Sequence, residues 1–286
     1  MRISDRMMQL NTMAGLRASQ ARLARAQREA TSGKRLESVS DDPVDAARVM
    51  TMQGQLGNID QYKRNATSAT TRLATEDTVL TGARDLLSRA RALAMSVTSS
   101  DLADPTRVSA LKQLAVIQDE MVSLANTRVG AERLFGGGET AAPFQPDGTY
   151  VGGTVVHDVR VDDGVIVPTS HTGAIFAVTF QALDLLKTAL TSGTSADISA
   201  TVAPLSDAEQ GLLAAQTESG GRQQQIDETV KQLGSRQSTL LDRMQALTDA
   251  DPAESLLKVT AATQALELAY AVAQKTLSVN ILNYMR

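Results

Sequence analysis

The final helix-forming stretch of this chain constrains everything else about it. Leu256, Val259, Thr263, Leu266, Tyr270, Ala273, Leu277, Asn280 and Tyr284 recur at alternating steps of three and four. Ala261, Ala265, Leu268, Val272, Val279 and Leu282 run along a neighbouring face, and Ile281 adds to the apolar end. Across residues 256–286 the only charged side chains are Lys258, Glu267, Lys275 and Arg286. Such a pattern is an α-helix that is apolar around most of its circumference, and a helix of that kind has to be enclosed. A single partner helix covers about half of it. The remainder requires other copies of the chain or a second protein. Burial as the central helix of a monomeric bundle is the alternative.

The first partner stands at the other end of the sequence. Ile3, Met7, Leu10 and Ala14 step by four, three and four, and Met13, Leu16, Gln20, Leu23, Gln27 and Ala30 continue near the 3.5-residue period of a coiled coil. Ile3, Met7, Leu10 and Leu16 are therefore expected to meet Leu256, Val259, Leu266, Leu268, Tyr270, Val272, Leu277, Ile281 and Leu282 in an assembly interface. The pattern stops at Ser32-Gly33, where glycine supplies the left-handed conformation that closes a helix. It resumes at Pro43, with Asp42 as N-cap, proline at the first helical position and Asp45 favouring the positive helix end. The intervening "SGKRLESVSDDP" is a polar joint in which Gly33, Lys34, Arg35, Asp41, Asp42 and Pro43 stand out. Lys34, Arg35 and Glu37 are predicted to be solvated surface charges, because exposed ion pairs contribute little.

Leu56, Ile59, Ala66, Leu73, Leu80, Leu87 and Val97 carry the next helix for more than fifty residues. Asp104-Pro105 opens another, predicted to run to Leu134-Phe135 and to end at Gly136-Gly137-Gly138. From 139 to 180 β-branched and polar residues alternate between the turn pairs Asp147-Gly148, Gly152-Gly153 and Asp163-Gly164. Two or three short strands are expected, leaning on the helices for stability. "LTSGTSADISATVAP" reads as a loop, helix returns from about Ser206 to Thr248 with a break at Gly220-Gly221, and Asp251-Pro252 starts the last helix. The predicted fold is mainly α, a long antiparallel helical bundle or coiled-coil rod with a small β-rich insert. Its expected divisions are 1–40 with 251–286, 43–135 with 206–250, and the insert 136–205.

Composition agrees, since only 3% of the 286 residues are aromatic and large core anchors are scarce. The net charge of −4 does not suit a polyanion binder as a whole. Residues 1–35 nevertheless hold eight Arg or Lys against Asp5 and Glu29. A transit peptide would end at a processing site, and a nucleic-acid arm would interleave aromatics for base stacking; neither feature is present. There is no cysteine, which excludes disulfides, thiolate metal sites and cysteine nucleophiles. No run has the apolar length of a membrane span or the core of a signal peptide. His157 and His171 are the only histidines and are predicted to lie on the surface. "GGGETAAP" follows a helix and lacks a Lys-Ser/Thr ending, so it is no phosphate cradle. Asp41-Asp42 and Asp162-Asp163 lack calcium-loop spacing. No catalytic residue, metal ligand or cofactor site is predicted.

"MRIS" with "SGKRLESVSDDPVDAARVM", "IDQYKRNATSA" (59–69), "DLLSRARALA" (85–94), "LANTRVGAERLFGGGETAAPF" (124–144), "TDADPAES" and "ATQALELAYAVAQKTLSVNILNYMR" occur in the order found in the flagellin superfamily, which the chain resembles. Within that superfamily, Lys34 and Ser40-Asp41-Asp42-Pro43 resemble the hook–filament junction subunits, whereas filament flagellins lack the proline. Val39-Ser40 in place of proline-serine and the third glycine of "LFGGG" depart from the junction pattern. The resemblance implies a structural subunit of the extracellular flagellum, exported unfolded by the flagellar type III apparatus without a cleaved signal. It implies terminal segments that pair as a coiled coil in the assembled tube and are disordered in the monomer. The implied partners are further copies in a ring, the other hook-associated protein, flagellin, and an export chaperone at the C-terminal helix. A filament flagellin, or a secreted coiled-coil adhesin or effector that binds through 139–180, are the rival readings.

Overall fold

The computed structural model describes residues 2–98, 105–139 and 141–284, with side chains described for 7, 8, 10–98, 105–139 and 141–275. The fold is the mainly helical one that the periodicity predicts, with two small antiparallel hairpins. Helix α1 (Arg2–Ser32) is followed by α2 (Pro43–Ser96) and α3 (Pro105–Ala125). Strands β1 (Arg128–Val129) and β2 (Glu132–Arg133) form one hairpin, and β3 (Asp158–Asp162) and β4 (Val165–Pro168) the other. A 3-10 turn (Gly173–Phe176) leads into α4 (Ala177–Ser192), then α5 (Ser195–Ala200), α6 (Val202–Thr248) and α7 (Pro252–Tyr284). Two compact units result: residues 1–57 with 237–286, and residues 58–236.

The unit 58–236 has two cores. In the larger, Leu80 and Leu87 of α2, Leu114 and Met121 of α3, Leu183, Leu186 and Leu190 of α4, and Leu205 and Leu212 of α6 pack together. All four phenylalanines of the chain gather at one place in it. The ring centroids of Phe135 and Phe176 are 5.0 Å apart, those of Phe144 and Phe176 5.7 Å, and those of Phe144 and Phe180 5.3 Å. Few as they are, the aromatics are concentrated where large anchors are needed. In the smaller core, Val161 and Val167 of the β3–β4 hairpin pack on Ala66, Ala69, Leu73 and Ile226, so the hairpin leans on α2 and α6.

Three regions differ from the sequence-based expectation. Helix α3 ends at Ala125, and Leu134-Phe135 lie beyond the β1–β2 hairpin, buried in the larger core. Gly137 takes φ +62° with its Cα against the backbone of Gly153, an approach that leaves no room for a Cβ. The region read as strand and then loop contains α4 and α5. Ala182, Leu183, Leu186, Ala189 and Leu190 recur at helical spacing and are buried, and Thr194 and Asp197 form a capping box for α5. Arg107, itself buried, donates to the Ala189 (2.6 Å) and Gly193 (2.9 Å) carbonyls and so satisfies the C-terminal end of α4. Finally, α6 runs unbroken through Gly220-Gly221, because buried Leu212, Ala215, Ser219 and Ile226 on either side hold the helix by packing.

The stretch Gly173–Ser192 has the length and hydropathy of a short membrane span. Its apolar face lines the larger core instead. The expected cap Asp104 lies outside the described residues. Truncating Leu183 to alanine in this fully buried setting should lower the unfolding free energy by about 2–5 kcal/mol, measured by chemical denaturation.

Candidate assembly interface

In the unit 1–57 with 237–286, α1 and α7 pair along their lengths, and the pairing is antiparallel. Gln20 donates to the Tyr270 hydroxyl at 3.0 Å, Lys258 donates to Glu29 at 2.7 Å, and Ala250 N–H donates to the Gly33 carbonyl at 2.9 Å. Partner numbers fall as α1 numbers rise. The seam is narrow. Beside the Glu29–Lys258 pair, the less exposed positions are Thr12, Leu16, Ser19, Leu23 and Ala26 on α1, and Ser255, Val259, Ala262, Leu266, Ala269 and Ala273 on α7. The α7 set alternates steps of four and three, the heptad of a coiled coil.

That seam is built mostly from small residues, which sequence hydrophobicity alone does not single out. Of the expected interface residues, Leu16, Val259 and Leu266 lie in the seam. Met7 and Leu10 do not reach it and are exposed, as are Leu256 (64%), Leu268 (68%), Val272 (60%) and, less so, Tyr270. Met8 and Leu257, outside the periodic stripes, and Met13, which opens one of them, are exposed too. Large apolar side chains of α7 outside the seam, Leu257 and Leu268 among them, are thus exposed among the described residues. The side chains of Ile3, Leu277, Ile281 and Leu282 lie outside those described.

Lys258 ties the seam electrostatically. Its ammonium meets Glu29 and, at 3.1 Å, Glu254, and the hydrogen bond it donates to Glu29 foremost holds its pKa above the ordinary lysine value. The joint is equally specific. Gly33 adopts φ +67° and its N–H closes α1 on the Glu29 carbonyl at 3.0 Å. Lys34 bridges to Asp249, and the Arg35 and Leu36 N–H groups both donate to the Thr248 carbonyl. Arg35 is more than a solvated charge: its guanidinium donates to Asp45 at 2.7 Å and to the Leu247 carbonyl at 2.8 Å. Asp42 caps α2 as expected, accepting from the N–H groups of Val44 (3.0 Å) and Asp45 (3.1 Å) ahead of Pro43. Asp41 accepts from the Ser38 N–H at 2.9 Å and pairs with Arg25 at 3.2 Å. Asp251 repeats the cap at α7, accepting from Ala253 at 2.8 Å.

Backbone hydrogen bonds, from Ser38 to Asp41 and from Asp45 to Asp42, hold both carboxyls below the ordinary aspartate value of 3.8. Their contribution to stability is therefore complete above that value and is lost as pH falls through the lowered ones. Protection from hydrogen exchange at residues 33–46, corrected for the intrinsic rate, should fall in acid in the native chain, with the acid response flattened in the Asp41→Asn/Asp42→Asn double variant. Gly33→Ala should destabilise the joint by about 1–2 kcal/mol, read from the same exchange. No atom lies within 4 Å of the added Cβ, so the cost is purely the left-handed backbone.

Residues 3–140 match the family model of the bacterial flagellin N-terminal helical region. The chain is 33% identical over 177 residues to flagellar hook-associated protein 3 of Salmonella typhimurium, covering 61% of this chain and 56% of that one. It is 31% identical over 176 residues to the protein of the same name from Escherichia coli, covering 60% and 56%. The chain thus matches just over half the length of these curated relatives. A solved structure of a putative flagellar hook-associated protein from Vibrio parahaemolyticus superposes with a TM-score of 0.67 at 21% identity, covering 72% of this chain and 99% of that one. Over residues 3–140 the chain is similar to the flagellin helical region, and in sequence it is similar to the flagellar hook-associated proteins, with a solved structure of the same fold.

Proposed function

We propose that the protein is a structural subunit of the bacterial flagellum that joins the hook-associated region to the filament. It is built into a ring of copies through α1 and α7. The observation that carries this reading is the set of large apolar side chains on α7 outside the seam, Leu256, Leu257 and Leu268, all well exposed. Several large exposed apolar side chains on one helix mark an interaction site. Enclosing each such side chain is worth about 1.5–3 kcal/mol, so several per copy offset the cost of ordering the helices once neighbours assemble.

Segments 1–40 with 251–286 act as the assembly arms, 43–135 with 206–250 as the rod, and 136–205 as an insert that assembly does not need. Copies of the chain, the other hook-associated protein and flagellin are its partners in the flagellum. Before export through the type III apparatus, without a cleaved signal, an export chaperone covers the same side chains of α7. No catalytic step enters this role.

The test is a Leu268→Glu/Val272→Glu double variant. Both positions point away from the seam, so the helical circular dichroism of the monomer should be retained. Assembly onto purified hooks should fall at least about tenfold, the effect of a single lost side-chain burial. Normal filament growth by the variant would overturn the proposal. A strain lacking the chain should make hooks without filaments; loss of bulk filament protein alone would point to a filament flagellin.

A further inference from the structure

Glu76, on α2, is fully buried, and among the described residues no lysine or arginine pairs with it. Its carboxylate accepts from the backbone N–H of His171 at 2.7 Å and from the Ser219 hydroxyl of α6 at 2.8 Å. The His171 ring, which the sequence places on the surface, is instead largely enclosed. Its Nδ1 lies 3.0 Å from Glu76 Oε1 and its Nε2 3.2 Å from Glu218 Oε2. A neutral imidazole has one N–H and one lone pair. With a carboxylate at each ring nitrogen, only the doubly protonated ring can donate to both; the neutral ring sets a lone pair against a carboxylate.

His171 belongs to the turn between β4 and the 3-10 helix, where Thr169 and Ser170 are themselves buried. The charged groups facing it are Glu76 from α2 and Glu218 and Arg222 from α6. Arg222 pairs with Glu218 at 2.6 Å and donates to the Ser170 carbonyl at 3.4 Å. We propose that Glu76, His171 and Glu218 form a proton-operated latch, which clamps the 169–176 turn onto α2 and α6 while the imidazole is charged and loosens it when the ring loses its proton. Loss of the proton leaves the buried Glu76 charge with no counter-ion, a costly state.

The titration has the matching sign. Burial is the largest influence on the ring and opposes its charge, but Glu76 and Glu218 together outweigh burial and the Arg222 repulsion, so His171 titrates above its ordinary 6.5. A raised value places the full clamping contribution below the ordinary imidazole value and removes it as pH rises through the raised one. The latch is independent of the flagellar reading, since it concerns only the unit 58–236.

The test is made on the full chain, with the His171 ring titrated by NMR and hydrogen exchange followed at residues 165–176 from about pH 6 to about pH 9. The ring should titrate above 6.5. Protection of the turn, corrected for the intrinsic rate, should fall across that titration by the factor separating the folded and unfolded acidities of the ring. In His171→Gln the pH response should vanish. In Glu218→Gln, at an exposed carboxylate that keeps the test independent of how His171→Gln folds, the ring midpoint should drop. A ring titrating at or below 6.5, flat protection in the native chain, or the same pH response in His171→Gln would overturn the latch.

Discussion

The narrowness of the α1–α7 seam is the constraint on which the rest of the account depends. Ser255, Ala262, Ala269 and Ala273 on one helix and Thr12, Ser19 and Ala26 on the other let the two backbones approach closely. Small residues in the seam also leave the large ones elsewhere. A conventional coiled coil puts its leucines between the helices and its charges outside. Among the described side chains only Leu16, Leu23, Val259 and Leu266 are used that way, and Leu256, Leu257, Leu268 and Val272 are exposed. Among the described residues the pair is closed at the seam, and large apolar side chains lie exposed outside it. This is the arrangement expected of a helix hairpin whose final packing is intermolecular.

Polar chemistry supplies what the thin seam does not. Lys258 between Glu29 and Glu254, and Gln20 against Tyr270, fix which turn of α7 meets which turn of α1. Arg35 gathers Asp45 and the Leu247 carbonyl, so the end of α6 and the start of α2 are held by one side chain. Specificity of register, more than strength, is what such pairs give. The unit 58–236 is organised differently, around a leucine core and four clustered phenylalanines. Among its buried polar groups is Glu76, which accepts from His171 and Ser219.

The helices with strong periodicity and explicit caps were legible in the sequence. Asp42-Pro43 and Asp251-Pro252 start helices because the carboxylate meets free N–H groups that proline does not need, and Gly33 ends one because φ is positive there. What escaped was whatever depends on partners distant in sequence. Leu183, Leu186 and Leu190 sit beside a threonine-rich stretch that reads as loop, and only burial against α3 and α6 makes them a helix. The heptad was visible on α7, but its face was not, since periodicity ranks Leu256 and Tyr270 above Ser255 and Ala269. His171 looked like a surface residue because Glu76 and Glu218 are brought to it by the fold. The signal that could have found it is Glu76 itself, an acid on the same stripe as Leu73 and Leu80.

The central claim is that the exposed apolar side chains of α7 are covered by neighbouring copies, and the absence of cysteine allows it to be tested directly. Leu268→Cys, outside the seam, and Ala269→Cys, in the seam, are reacted with a maleimide in the monomer and again after assembly onto purified hooks. The account predicts fast labelling at 268 and slow labelling at 269 in the monomer, with 268 becoming as protected as 269 on assembly. Reactivity at 268 that is unchanged by assembly would contradict it.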